Sequence, residues 1–159
     1  MPEVPDTEEV SRFLFHARQM RTGGPDGPGV RREAFDPGKD KATGKLRDAV
    51  SVSIHAGRTA DEIWEDGKAI GDAGNPPRPV LGRAVLSVSA VRNAGMDVKA
   101  KPLEPPDAPF SYPHHAEIVG WADPDAPDAL PADKAKARAL ADASRLDAPP
   151  PPASMPPSV

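Results

Sequence analysis

The placement of proline limits this chain more than any other feature. Its 22 prolines and 13 glycines gather in clusters, and the stretches between them are short. Proline breaks a helix interior and removes a donor from a central strand, so each cluster marks a connection rather than an element. Residues 23–29 hold four glycines and two prolines, 74–79 three prolines, and 102–113 five, while 148–159 carry six in twelve residues. Such a chain can form one small core with proline-rich loops and ends. At 159 residues it has room for a single domain. The expected division is a flexible acidic arm over 1–9, one domain over 10–146, and a disordered proline-rich tail over 147–159.

Between the clusters, alternation of apolar and polar residues predicts strands. The clearest is 46–56, where Val50, Val52, Ile54 and Ala56 share one parity and Ser51, Ser53 and His55 the other. Further strands are predicted over 10–20, 80–86, 96–100 and 115–121, with a short extended piece over 30–35. Thr59-Ala60-Asp61-Glu62 has capping-box spacing and opens a helix with Ala60, Ile63, Trp64, Gly67 and Ile70 on one stripe, ended by Gly71. Ser87 or Ser89 can cap a short helix stopped by Gly95, and Pro131 suits the first turn of an Ala-rich helix over 132–146. The segment 102–113 reads as an extended connection with polyproline character. Strands and helices alternate without a regular βα period. The fold class is therefore α+β: a small mixed or mostly antiparallel sheet with two or three helices packed on one face.

Charge and composition exclude several functions. The net charge of −4 lacks the basic footprint that duplex nucleic acid demands. With no cysteine, disulfides, thiolate metal sites and thiol catalysis are ruled out. The acidic, proline-bearing beginning does not read as a signal peptide, and no apolar run approaches the roughly 18–20 residues of a membrane span. A bacterial cytoplasmic protein is the expectation. Phosphate-loop, dinucleotide, HExxH and nucleophile-elbow signatures are all missing, and no cofactor is predicted.

One polar constellation remains. Parity groups Arg12, His16 and Arg18 on the first strand, and Ser51, Ser53 and His55 on the second; His114 and His115 open a third, with Glu117 two residues on. If those strands are neighbours with the polar parity on one side, imidazoles able to trade protons near neutrality meet guanidinium groups able to grip phosphate or carboxylate. The catalytic candidates are His16, His55, His115 and Arg12; the binding candidates are Arg18, Ser51, Ser53, Glu117 and Trp121. The competing explanation is a solvated sheet face, polar because water covers it. Neighbouring strand residues point to opposite faces, so His114-His115 makes no metal pair, and no metal site is predicted. Trp64 and Trp121 read as core anchors, although Trp121 exposed at a strand end would mark a binding edge.

The elements Arg12-Phe13, Ala34-Phe35-Asp36-Pro37, Val50-Ser51-Val52, Glu62-Ile63-Trp64-Glu65, Ala94-Gly95-Met96 and His115-Ala116-Glu117-Ile118-Val119-Gly120-Trp121 form a pattern. It resembles that of a set of small uncharacterised bacterial proteins, over roughly residues 10–146. The resemblance implies one compact domain and no activity. The expected function is a non-catalytic binding or interaction module whose partner is another protein or an anionic small ligand. The alternative is a small phosphoester- or nucleotide-acting enzyme of the RNA-directed toxin type, built on the His/Arg/Ser cluster.

Overall fold

The computed structural model describes residues 3–21, 23, 25, 27–38, 47–123 and 125–149. Eight strands and three helices occur among them: β1 (Glu9–Leu14), β2 (Met20–Arg21), β3 (Gly29–Val30), β4 (Val50–Ile54), α1 (Ala60–Asp72), β5 (Gly82–Ser87), α2 (Val88–Asn93), β6 (Asp97–Ala100), β7 (His115–Val119), α3 (Ala129–Ala143) and β8 (Arg145–Asp147). Six strands form one sheet in the order β6-β7-β4-β1-β5-β8, and every neighbouring pair in it is antiparallel. β2 and β3 make a separate two-stranded ribbon. The fold is α+β.

The alternation of β4 is realised at its start, where Val50 and Val52 are buried and Ser51 between them is exposed, while Ser53 is buried as well. Cross-strand partners share a face. The register therefore sorts the sheet into one apolar face, with Val10, Leu14, Val50, Val52, Ala84, Leu86, Val98, Ala116 and Ile118, and one polar face. The apolar face packs against α2 through Val88 and Val91 and against α3 through Ala137, Leu140 and Ala141. Trp121 joins this core, its indole N–H donating to the Ile118 carbonyl at 3.0 Å. α1 differs from α2 and α3. It lies on the polar side, where Ile63 and Trp64 cover Phe13.

α1 opens as its capping box predicts, with Thr59 accepting from the Glu62 amide at 3.2 Å. Gly71 does not end it but sits in the last turn, and with Gly67 four residues earlier it lets the helix approach the sheet closely. A Cβ on Gly67 would meet the Phe13 ring at 2.6 Å, and one on Gly71 would meet the Arg78 carbonyl and the Phe15 ring. Ser87 caps α2, accepting from Ala90 N–H at 3.1 Å, and Gly95 adopts a φ of +82° just beyond it.

Several boundaries depart from expectation. β1 stops at Leu14 because the Gln19 side chain folds back to accept from the Phe15 and His16 amides at 2.9 and 3.0 Å, starting a 3-10 turn over Ala17–Gln19. Residues 32–34 form a second 3-10 turn instead of an extended piece. The acidic segment before β1 is not a solvated arm: Val4 is only 4% exposed, Arg92 donates to its carbonyl at 2.7 Å, and Arg92 also pairs with Asp6. β8 was not foreseen, and it carries the sheet to Asp147, the first residue of the predicted tail. Residues 150–159 lie outside the described residues. Among those described, no helix is long and apolar enough to cross a membrane.

Candidate functional site

The polar sheet face is assembled by the β1–β4–β7 register. Ser11 lies opposite Ser53, Ser53 opposite His115, and Ser51 opposite Glu117. Ser51, Ser53, His55, His115 and Glu117 thus share one side, as their alternation predicts. Arg12, His16 and Arg18 do not join them. Arg12 belongs to the opposite parity of β1, and its guanidinium donates to the Ala34 and Ser51 carbonyls, each at 3.0 Å. Burial draws its pKa down to about 10. It serves as a backbone tie where the β1–β4 ladder ends. His16 has left the strand and stands 2.8 Å from the Arg78 guanidinium, beside a groove of about 190 Å³ lined by Phe15, Ile70 and Pro76. Partial burial, then Arg78 and Arg18, lowers its pKa. Arg18 is exposed on the 3-10 turn, and Trp121 is a core residue, 9% exposed.

Two serine–histidine pairs result. In the first, Ser11 Oγ and His55 Nε2 are 2.7 Å apart, and Arg83 donates to the same hydroxyl at 3.3 Å. The Ser11 hydroxyl thus bridges the Arg83 guanidinium, from which it accepts, and the His55 imidazole. Burial lowers the His55 pKa, and Arg83 lowers it further. Arg83 is itself held by Asp147 at 2.7 Å and lies over the Trp64 ring, 5.0 Å from its centroid. Ser11 is fully buried, so this chain is a polar spine across β8, β5 and β1 to the residue just beyond β4.

The second pair faces open space. His115 Nδ1 donates to the Lys101 carbonyl at 2.8 Å, and its Nε2 is hydrogen-bonded to Ser51 Oγ at 3.0 Å. Both residues line a cavity of about 310 Å³ between the sheet, the end of α1 and the 102–113 loop. Ile70, Leu103, Ala108, Phe110 and Tyr112 supply its apolar walls, and Asp107 is on its rim. Comparison with known protein families, curated proteins and solved structures gave no match. The cavity's chemistry must be read from its own residues.

The 102–113 loop is not an extended polyproline run. Leu103 and Tyr112 exchange backbone hydrogen bonds at 3.0 and 2.8 Å, and Ser111 donates to Glu104 at 2.8 Å, closing the loop on itself. The closure folds Tyr112 inward, where its phenol bonds Ser53 and its ring meets the His115 edge at 5.1 Å, with Phe110 stacked on its outer side at 5.5 Å. Burial pushes the Tyr112 pKa up to about 12, so the phenol stays protonated. Glu117 is paired with Lys101 at 3.3 Å. Among the described residues no three of His, Asp or Glu converge as metal ligands would.

Ser11, Arg83, Phe110 and Tyr112 are the participants that sequence reasoning missed. For Tyr112 a signal existed: it is the only tyrosine in an aromatic-poor chain, two residues from Phe110 inside a proline cluster. An aromatic pair in such a connection has to pack on something.

Proposed function

We propose that this protein is a non-catalytic binding module that seats a small neutral ligand in the cavity under the 102–113 loop. The observation that carries the reading is the cavity itself. It holds about 310 Å³, with aromatic and aliphatic walls and one hydroxyl–imidazole pair on its floor. That mix suits a ligand with a flat apolar body and a single hydrogen-bonding head. The Phe110–Tyr112 stack offers a face to such a body, and the Ser51 hydroxyl, backed by His115, offers the head a hydrogen-bonding group. An anionic ligand, the form expected from sequence, suits this face poorly. Arg12 is turned to the other side of the sheet, Arg83 is neutralised by Asp147, and Asp107 stands at the rim.

The test is a thermal-shift screen with small aromatic alcohols and amides, on wild type and Ser51→Phe. Ser51 is exposed, so the substitution fills the floor without disturbing the core. A ligand at one hundred times its Kd stabilises by about 2.7 kcal/mol, which for a domain of this size raises Tm by about 5–10 °C. The reading requires hits on wild type that vanish in Ser51→Phe. Hits that persist in the variant refute it.

One observation favours an enzymatic reading. The Lys101 carbonyl orients His115, whose Nε2 is bonded to an accessible serine hydroxyl, the arrangement of a relay for a hydroxyl nucleophile. Rapid labelling of Ser51 by a fluorophosphonate, abolished by His115→Gln, would favour that reading over simple binding. Among the described residues, however, no guanidinium is aimed at Ser51 Oγ to stabilise developing charge.

A further inference from the structure

Arg12 and Arg18, expected on the sheet face, do not join it, and four other arginines are gathered on the far side of the molecule. Arg21, Arg31, Arg32 and Arg138 line a cleft of about 300 Å³ between the β2–β3 ribbon, the 3-10 turn Arg32–Ala34 and α3. Two carboxylates, Glu33 and Asp142, share the wall. In a chain whose net charge is −4, four guanidinium groups around one cleft are a local reversal of sign. We propose that this cleft is an anion site for a phosphate ester of mononucleotide size, independent of the cavity on the sheet face.

Local structure builds the cleft. Arg21 lies across the ribbon, its Nε donating to the Gly27 carbonyl at 3.1 Å. It can lie there because position 29 is glycine: a Cβ at that position would collide with the Arg21 guanidinium. The ribbon thus fixes Arg21 through Nε, and its terminal nitrogens have no hydrogen-bond partner among the described residues. Arg32 is held by Asp36 at 2.6 Å and by Glu33 at 3.2 Å, which engages Glu33, whereas Asp142 is exposed and forms no ion pair among the described residues. Burial raises the Asp36 pKa, and Arg32 acts against that rise. Arg31 and Arg138 are exposed and form no ion pair among the described residues. α3 brings Arg138 to the opposite wall, one helical turn from Ala141, which is buried in the core with Val30. The floor is therefore rigid, and the two unpaired cations project from separate elements on either side.

Two guanidinium groups without carboxylate partners are the donors a phosphate takes bidentately, each replacing water with two parallel hydrogen bonds. A volume near 300 Å³ is at the small end for ligand sites and admits the phosphate and sugar of a mononucleotide, with the base at the mouth of the cleft. The polar lining favours a sugar over an apolar body beside that phosphate. Arg32, neutralised by Glu33 and Asp36, holds the cleft's shape, and its positive charge comes from Arg21, Arg31 and Arg138.

Isothermal titration with AMP, with adenosine as the uncharged control, tests the assignment on wild type, Arg31→Gln, Arg138→Gln and Ser51→Phe. Both arginines are exposed, and a Tm within 2 °C of wild type, as expected of surface substitutions, would confirm intact variants. The site predicts that AMP binds at least tenfold more tightly than adenosine and that raising the salt weakens it. Each arginine substitution lowers the AMP affinity at least tenfold, and Ser51→Phe leaves it unchanged. AMP binding no tighter than adenosine, or binding indifferent to Arg31 and Arg138, overturns the proposal. Loss of binding in Ser51→Phe would place the anion in the sheet-face cavity and would overturn it as well.

Discussion

Gly67→Ala should destabilise this protein, although alanine is the better helix former. The glycine is buried in the middle of α1, and an added Cβ would sit 2.6, 2.7 and 3.1 Å from Phe13 Cδ1, Cε1 and Cγ. Ordinary carbon–carbon contact needs about 3.5–4.0 Å, so the ring or the helix must move. The ring has nowhere to go: Phe13 is 4% exposed, belongs to a central strand, and meets Trp64 with centroids 6.0 Å apart. Overpacking of this kind costs about 1–3 kcal/mol, and the gain in helix propensity returns about 1 kcal/mol. The expected net is a loss of up to about 2 kcal/mol, or about 4–8 °C in Tm. Urea unfolding followed by tryptophan fluorescence reads it directly, since Trp64 is in the same cluster. Phe13→Leu in the Gly67→Ala background should recover part of the loss, a non-additive result that only contact between the two positions produces. Stabilisation by about 1 kcal/mol, the behaviour of a glycine in a free helix, would refute the docking of α1 on this face and with it one wall of the cavity.

Two further outcomes follow from the polar spine. Ser11→Ala strands His55 Nε2 and one Arg83 N–H in a buried site, so denaturant unfolding should show a loss of about 1–3 kcal/mol, and a change under about 0.5 kcal/mol would contradict the network. The His55 pKa is lowered in the fold, so the unfolded chain binds the proton more readily. Stability should hold above about pH 6.5 and fall as the pH drops below it, and His55→Gln should flatten that dependence; equal slopes in the two proteins would count against the buried neutral ring.

How much of this was legible depended on whether a strand has one wet face or none. β4 and β7 were readable because Val-Ser-Val-Ser-Ile and His-Ala-Glu-Ile-Val put polar side chains on one parity only, and that placed Ser51, Ser53, His115 and Glu117 together. β1 is buried on both faces: Val10 and Leu14 enter one core cluster and Phe13 the other. In a strand like that, parity carries no information about which side is polar, and Arg12 was assigned to the wrong side while Ser11 passed unnoticed. His16 was lost from the site for a different reason, since the Gln19 side chain ends the strand by a contact that no periodicity records. β8, at three residues, is too short for alternation to register. The Tyr112 infold depends on a single Leu103–Tyr112 pairing inside a proline-rich loop, so composition signals that the ring must pack but local pattern does not say where.

The central claim is that the space under the 102–113 loop receives a ligand. Backbone amide chemical-shift mapping with a hit from the aromatic screen tests it most directly. The account predicts saturable shifts at Ser51, Ile70, Leu103, Phe110, Tyr112 and His115, with the far side of the sheet unmoved. Shifts confined to other surfaces, or spread evenly without saturation, would contradict it.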